Sequence, residues 1–272
     1  MIILPDVKHY ERPVQTISPN RDILPIYAAL RTGVKRFREE EFVCTVPKDH
    51  ERDSSVLHMS SSGHCGRKEW LHLHHTDEYD ESEAILRLRI PPPYTAFHFG
   101  HIIEAYTLHL LRLGGLTPFN EQKELSDLGG KITGHIDAMV TISGTEYLVE
   151  VKGLKGESVE LLNCVGVRKA LPGYFFQMQY YMFCLELDFG YLIVLDKNSS
   201  AWYIELVRRD EESVRFLRQK VLALSSLQTI EGIPEKFIYR DCRFCALIEK
   251  CAQIEGQEQF IQNFVAHERS RP

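Results

Sequence analysis

The chain lacks several things that would narrow its class at once. No apolar run approaches the roughly 20 residues a membrane span needs, so a soluble protein is expected. Met1-Ile2-Ile3-Leu4 is followed immediately by Pro5 and Asp6, too short a stretch for a secretory h-region. The 7 cysteines are an odd number in a chain of 272 residues, which argues against a disulfide framework and for a reducing compartment such as the cytoplasm. Excess positive charge is also missing: 32 Lys and Arg face 38 Asp and Glu, a formal charge of -6 that disfavours a generally basic polyanion-coating protein. Acidic segments such as Asp77-Glu78-Tyr79-Asp80-Glu81 contribute to that balance, so local basic positions (Arg67, Lys68, Lys155, Lys197) can still meet phosphates. No internal repeat or low-complexity segment stands out. What the chain does have is 44% hydrophobic content, enough for a substantial core in one elaborated domain.

The most informative stretch reads Gly134-His135-Ile136-Asp137-Ala138-Met139-Val140, then Ser143-Gly144, then Glu146-Tyr147-Leu148-Val149-Glu150-Val151-Lys152-Gly153. Two β-patterned runs around a Ser-Gly turn signal predict a hairpin with Ile142 opposite Thr145, and counting outward places Asp137 opposite Glu150. Alternation then puts Ile136, Ala138, Val140, Val149 and Val151 on an apolar face and His135, Asp137, Glu150 and Lys152 on the other. Directly opposed carboxylates about 4.5 to 5.5 Å apart at Cβ repel each other, and a bound cation removes that conflict. Oxygen ligands suit Mg²⁺ or Mn²⁺, which polarise a phosphoryl oxygen and acidify a bound water. Lys152 points at the same place, where an ammonium orients a water or offsets charge on a phosphate. The alternative is a solvated polar sheet face with a cross-strand Glu-Lys mixture.

Asp137 followed by Glu150-Val151-Lys152 resembles the Asp and Glu-x-Lys core of the PD-(D/E)xK nuclease superfamily, and Gly134-x-x-Asp137 resembles its RecB-type branch. The resemblance implies an α/β core with a mixed central sheet flanked by helices, and a metal site built from Glu104, Asp137, Glu150 and the carbonyl of Val151. Phe97-His98-Phe99-Gly100-His101-Ile102-Ile103-Glu104 opens an amphipathic helical pattern that continues through Leu108, Leu110 and Leu111 to Gly114-Gly115. RecB-like nucleases commonly carry a metal-binding His four residues after such a glycine; this chain departs from that form with Glu104, and His101 lies one turn earlier. Downstream, Gln177 and Tyr181 resemble the Gln-x-x-x-Tyr motif, expected to offer an amide and a phenol to phosphates, sugars or bases.

Cys242, Cys245 and Cys251 cluster near the C-terminus, and Cys65 stands alone far upstream. One cysteine before the core and three after it is similar to the clasp of iron-sulfur RecB-type nucleases, including AddB-like and CRISPR-adaptation enzymes. That implies a 4Fe-4S cluster, with structural zinc as the alternative occupant. Cys44, Cys164 and Cys184 read as ordinary thiols, Cys184 buried.

The expected organisation is an N-terminal appendage over residues 1–48, holding a short strand and a helix through Ile23, Ile26, Ala29, Leu30 and Val34; a nuclease domain over 49–255 closed by the clasp; and a tail over 256–272. A linker over 45–55, a helix ending near His75, a helix or strand up to Ile90, and a break at Pro91-Pro92-Pro93 are expected within it. So are an edge strand over 122–125, strands over 190–195 and 202–207, and a helix from Glu211 to Leu227. The function implied is metal-dependent DNA hydrolysis, as an exonuclease on single strands or DNA ends, in the cytoplasm of a bacterium or of an infected cell if the source is a phage. A partner from recombination, replication or CRISPR adaptation is compatible. A DNA-holding assembly factor that keeps the nuclease fold is the alternative; an iron-sulfur sensor and an RNA substrate stay open.

Overall fold

A computed structural model describes residues 23–37, 42, 56–63, 65–74, 94–230, 233, 247 and 251. The fold is mixed α/β, with two mixed sheets flanked by helices. In chain order the elements are α1 (Leu24–Phe37), β1 (Leu57–His58), a 3-10 turn (Met59–Ser61), α2 (Gly66–His74), α3 (Tyr94–Leu113), β2 (Glu124–Asp127), β3 (Ile132–His135), β4 (Ala138–Ile142) and β5 (Thr145–Leu154). Then come α4 (Gly156–Ala170), α5 (Pro172–Cys184), β6 (Phe189–Asp196), β7 (Trp202–Arg208) and α6 (Glu211–Ser226).

The larger sheet has the order β4-β5-β6-β7, with β5 and β6 parallel and the outer pairs antiparallel. A parallel neighbour requires a crossover, and α4 with α5 supplies it. Alternation along the strands gives this sheet two apolar faces. Ala138, Val140, Val149, Val151, Tyr191, Ile193 and Ile204 pack with Ile26 and Leu30 of α1 and Ile103, Leu108, Leu110 and Leu111 of α3. Leu148, Leu192, Val194 and Val207 point the other way, into a cluster with Val159 and Leu162 of α4, Phe175 and Met178 of α5, and Leu217 and Val221 of α6. A strand buried on both faces reads as a continuous apolar run, which is what Phe189–Asp196 shows.

The hairpin forms in the expected register, Ile142 opposite Thr145 and Ala138 opposite Val149. Its two-residue turn has φ of 52° at Ser143 and 82° at Gly144, the twist that matches paired strands. One feature differs from the sequence reading. The run over 134–140 is not one strand: it breaks at Ile136 and Asp137, and His135 joins β3 in a separate sheet of order β1-β3-β2, opposite Glu124. Ile136 accordingly packs in the cluster opposite the one that holds Ala138 and Val140. The edge strand expected over 122–125 is β2, two residues later and at a sheet edge.

The helix assigned to an N-terminal appendage, α1, packs on α3. A Cβ on Gly33 would lie 2.1 Å from the carbonyl oxygen of Leu110, and one on Gly114 2.1 Å from that of Ala29. On the other side of the molecule, Asp127 at the end of β2 accepts from Tyr180 of α5 (3.0 Å) and Arg218 of α6 (2.8 Å). Lys220 of α6 pairs with Glu69 of α2 at 3.0 Å, both buried. Gln179, fully buried on α5, bridges the β7–α6 connection, donating to the carbonyl of Arg208 (3.1 Å) and accepting from the N–H of Asp210 (2.6 Å). Among the described residues no helix is long and apolar enough to cross a membrane. The expected N-terminal strand, the linker over 45–55, the acidic stretch, the region up to Pro93, Cys44, Cys242, Cys245 and the tail over 256–272 lie outside the described residues.

Because the added methyl group at Gly33 or Gly114 would meet backbone rather than a movable side chain, α1 and α3 must separate to admit it. Gly33→Ala and Gly114→Ala are each expected to destabilise the protein by about 1–3 kcal/mol, read as a lowered denaturant midpoint with unchanged slope.

Candidate active site at the end of strand β5

Glu150 and Lys152 lie two apart on β5 and therefore on one face, the face covered by α5. Glu150 is wholly buried beside a largely apolar cluster. Its Oε1 accepts from Lys152 Nζ at 2.5 Å and from Gln177 Nε2 at 2.9 Å, whereas its Oε2 has no hydrogen-bond partner among the described residues. Across the hairpin, Asp137 sits at the break before β4. Its Oδ2 accepts from the backbone N–H of Val151 at 2.7 Å and lies 3.9 Å from Lys152 Nζ. The ladder ends at Ala138 and Val149, and Asp137, just beyond it, is fixed by the backbone of the strand that carries Glu150.

Two bare positions face neighbouring elements. A Cβ on Gly153 would lie 2.3 Å from Ile103 Cδ1, the movable end of a side chain of α3, which packs on β5 beside Lys152. That approach brings Glu104 close enough to feel the charges of Asp137, Lys152 and Glu150. A Cβ on Gly134 would lie 2.9 Å from Tyr181 Cε1 and from Met59 Cβ, so it admits the ring of Tyr181.

Glu104 Oε1 accepts from Gln122 Nε2 at 2.5 Å, and His101 Nδ1 lies 4.0 Å from its Oε2. His135, expected on the same polar face, is exposed on β3. Gln177 and Tyr181 lie behind Glu150 on α5. They are 5% and 1% exposed, so neither offers a surface for stacking on a base. Gln177 instead donates to both Glu150 and Tyr181 (3.0 Å), and the pair supports the carboxylate from behind. Tyr174, three residues before Gln177 on the same helical face, puts its ring 5.6 Å from Lys152 Nζ. Helical spacing from Gln177 would have found it; no sequence signal marks Gln122.

Burial first, and then the Asp137 carboxylate, push Glu104 up to about 8, with Gln122 and Lys152 pulling back only part of the shift. Glu150 is pushed up to about 7 by burial and Asp137, against the opposing pull of Lys152. Burial alone would lower Lys152, but Glu150 and Asp137 outweigh it and hold the ammonium charged well beyond its usual range. Tyr181 is raised far above the tyrosine range by burial and Glu150, which keeps it a phenol.

Three carboxyl groups and one ammonium share a poorly solvated place, so ionising all three carboxyls would leave an excess of negative charge there. Their hard oxygen donors, with Glu150 Oε2 lacking a partner among the described residues, fit a hard divalent cation. As the side chains stand, no group of three or more His, Cys, Asp or Glu residues gathers closely enough to hold a metal among the described residues. Lys152 Nζ stands between Glu150 and Asp137 as their counter-ion.

Of the cysteines, Cys65 is half-buried at the start of α2. Cys251 is buried in the apolar cluster that contains Trp70 and Leu71 of that helix. Cys164 is exposed, and Cys184 is only half-buried rather than buried.

No protein-family model matches the chain, and no curated protein matches it. Among solved structures, SSO0001 is similar at 16% identity and a TM-score of 0.48, over 83% of this chain and 94% of that one. The alkaline exonuclease LHK-Exo from Laribacter hongkongensis is similar at 13% identity and a TM-score of 0.43, over 78% and 94%. A phage-related exonuclease from Haemophilus somnus 129PT is similar at 13% and 0.41, over 72% and 96%. With TM-scores below 0.5 these likenesses carry no functional argument, which rests on the residues just described.

Glu104 and Glu150 bind protons more readily in the folded chain than in the unfolded one. Their contribution to stability is therefore complete below the ordinary value of 4.5 and is lost as pH rises through about 7 to 8. Without divalent metal, Tm is expected to be lower at about pH 8.5 than at about pH 5.5, by on the order of 3 °C per kcal/mol lost. Glu104→Gln flattens that slope. Added Mn²⁺ raises Tm more at the higher pH, because its ligands must be deprotonated. Equal metal stabilisation at both values would rule out these carboxylates as ligands.

Proposed function

We propose that the chain is a metal-dependent nuclease of the PD-(D/E)xK type that hydrolyses DNA phosphodiester bonds, acting as an exonuclease on single strands or DNA ends. The observation that carries this reading is the buried Glu150 carboxylate, one oxygen without a partner among the described residues, flanked by Asp137 and a lysine held charged. A buried ion pair adds little to stability, so this arrangement is better accounted for by chemistry than by folding.

Glu104, Asp137, Glu150 and the carbonyl of Val151 are the residues that would hold Mg²⁺ or Mn²⁺. Such an ion supplies polarisation of the phosphoryl oxygen and a more acidic water. The chain does the rest. The Val151 N–H fixes one oxygen of Asp137, and Gln177 fixes one oxygen of Glu150, so neither carboxylate has to find its position during reaction. Gln122 holds Glu104 in the same way from the loop after α3. Lys152 presents a permanent positive charge at the site, where it orients the attacking water and offsets negative charge growing on the phosphate. Tyr181 supports Gln177 and stays out of the proton transfers.

End-labelled single-stranded and duplex DNA are expected to be cut in Mn²⁺ or Mg²⁺ and not in EDTA. Glu150→Ala and Lys152→Ala should each lower the rate by about 10² or more, with the product ladder reporting polarity. Wild-type protein that binds DNA and never cuts it would transfer the reading to a DNA-holding assembly factor, with a recombination, replication or CRISPR-adaptation partner doing the chemistry.

The same reading includes a clasp over the nuclease domain of residues 49–255, in which Cys65, Cys242, Cys245 and Cys251 hold a 4Fe-4S cluster. What supports it is the sequence spacing alone, one cysteine before the core and three after it. Anaerobically purified protein is expected to carry about four iron and four sulfide per chain, lost together in Cys65→Ala. One zinc per chain with no sulfide would reassign the site.

A further inference from the structure

Lysine carries a compact ammonium on a flexible four-carbon stem, so its position depends on what holds the charged end. Among the described residues, three groups hold Lys152 Nζ. Glu150 Oε1 lies 2.5 Å away, Asp137 Oδ2 3.9 Å, and the centre of the Tyr174 ring 5.6 Å. The first two are oxygens of carboxylates assigned above to a divalent cation. An ammonium and a divalent cation repel each other, so one pair of carboxylates does not serve both at close range. The third is the face of an aromatic ring, which attracts an ammonium and is no ligand for a hard metal.

The ring is held in place independently of Lys152. Pro172 opens α5, and the N–H of Tyr174 donates to the carbonyl of Leu171 at 3.0 Å. A Cβ on Gly63 would lie 2.8 Å from Gly173 Cα, so the first turn of α5 is pressed against the segment that follows the 3-10 turn. Tyr174 is half-buried and packs on the apolar cluster that α5 helps to form. By contrast the Lys152 side chain is 22% exposed while that of Glu150 is fully enclosed. The stem has room to swing between a fixed carboxylate and a fixed ring.

Resting on the nuclease reading above, we propose that Tyr174 is the positioning residue for Lys152. In the structure the ammonium is the counter-ion of Glu150 and Asp137. When a divalent cation takes those oxygens, the ammonium transfers to the face of the Tyr174 ring. A lysine released to water would leave the site; one received by the ring stays beside the reacting phosphate. Tyr174 therefore eases admission of the metal and takes no part in the bond changes.

The test starts without substrate. Protein labelled with ¹³C at the lysine Cε position is titrated with diamagnetic Mg²⁺, the Lys152 signal being assigned by its absence in Lys152→Met. Mg²⁺ is expected to move the Lys152 ε-CH₂ protons upfield, the ring-current direction for a group over an aromatic face. Tyr174→Phe keeps this shift and Tyr174→Leu loses it. By calorimetry Tyr174→Leu should bind Mg²⁺ about fivefold more weakly. It should also lower kcat on single-stranded DNA about tenfold, with little change in KM. Tyr174→Phe should restore both.

Three outcomes would overturn the proposal: a Lys152 signal that stays put in wild type saturated with Mg²⁺; Tyr174→Phe failing as badly as Tyr174→Leu, which would place the function in the phenol; or a loss confined to KM, which would make the ring a substrate contact. The wild-type shift and Tyr174→Phe decide the matter even where Tyr174→Leu does not fold. Failure of the nuclease reading looks different. Wild type that shows the Mg²⁺-dependent shift and cuts no DNA would keep Tyr174 as the positioning residue and lose the reaction; a chain that binds neither Mg²⁺ nor Mn²⁺ would lose both.

Discussion

A carboxylate with no solvent exposure and an ammonium 2.5 Å away are built into a sheet face that otherwise packs hydrocarbon. Such a pair must recover the desolvation of two ions from its own contacts, and removing one member leaves a buried charge at a cost of about 3–5 kcal/mol. Much of the local architecture follows from this requirement. Helix α5 brings an amide to Glu150, β3 is bare at Gly134 where Tyr181 stands behind that amide, and α3 packs on β5 to bring a third carboxylate near. The glycines are sites of close approach, set by what passes over them.

The two apolar clusters divide the work. Helices α1 and α3 cover one face of the four-stranded sheet and deliver Glu104; α4, α5 and α6 cover the other and deliver Gln177. Asp137 arrives from neither. It stands where the chain leaves one sheet for the other, and a strand break frees its side chain to accept the N–H of Val151. The site thus lies where two sheets and two helical layers meet.

The hairpin was legible because its signal is local: a Ser-Gly turn and strict alternation fix the register, and with it the meeting of Asp137 and Glu150. Helix α3 was legible from its apolar spacing and glycine stop, and its start at Tyr94 comes three residues before the first residue of the expected pattern. The break at Ile136 was not, because an apolar residue that continues an alternating pattern gives no sign that it has turned into the opposite cluster. Helix α4 went unread. Its sequence carries Gly166 at a φ of 71°, a kink pinned by Glu205 of β7 accepting from the N–H of Val167 at 2.8 Å, and this tertiary contact compensates for weak helical periodicity. Gln177 and Tyr181 were found from their spacing, but their burial was not. Helical spacing shows which residues share a face and is silent on whether that face meets solvent or a buried carboxylate.

Helix α5 carries glutamines at 177 and 179 that do opposite jobs. Gln177 reaches Glu150, and Gln179 closes both backbone groups of the β7–α6 connection. The helix is therefore anchored at two points on different sides, and its rotation about its own axis is locked by the far margin of the larger sheet. The aim of the Gln177 amide is therefore tied to the turn that Gln179 holds. Evolution can retune the reactive carboxylate by editing that turn, leaving every residue around Glu150 unchanged.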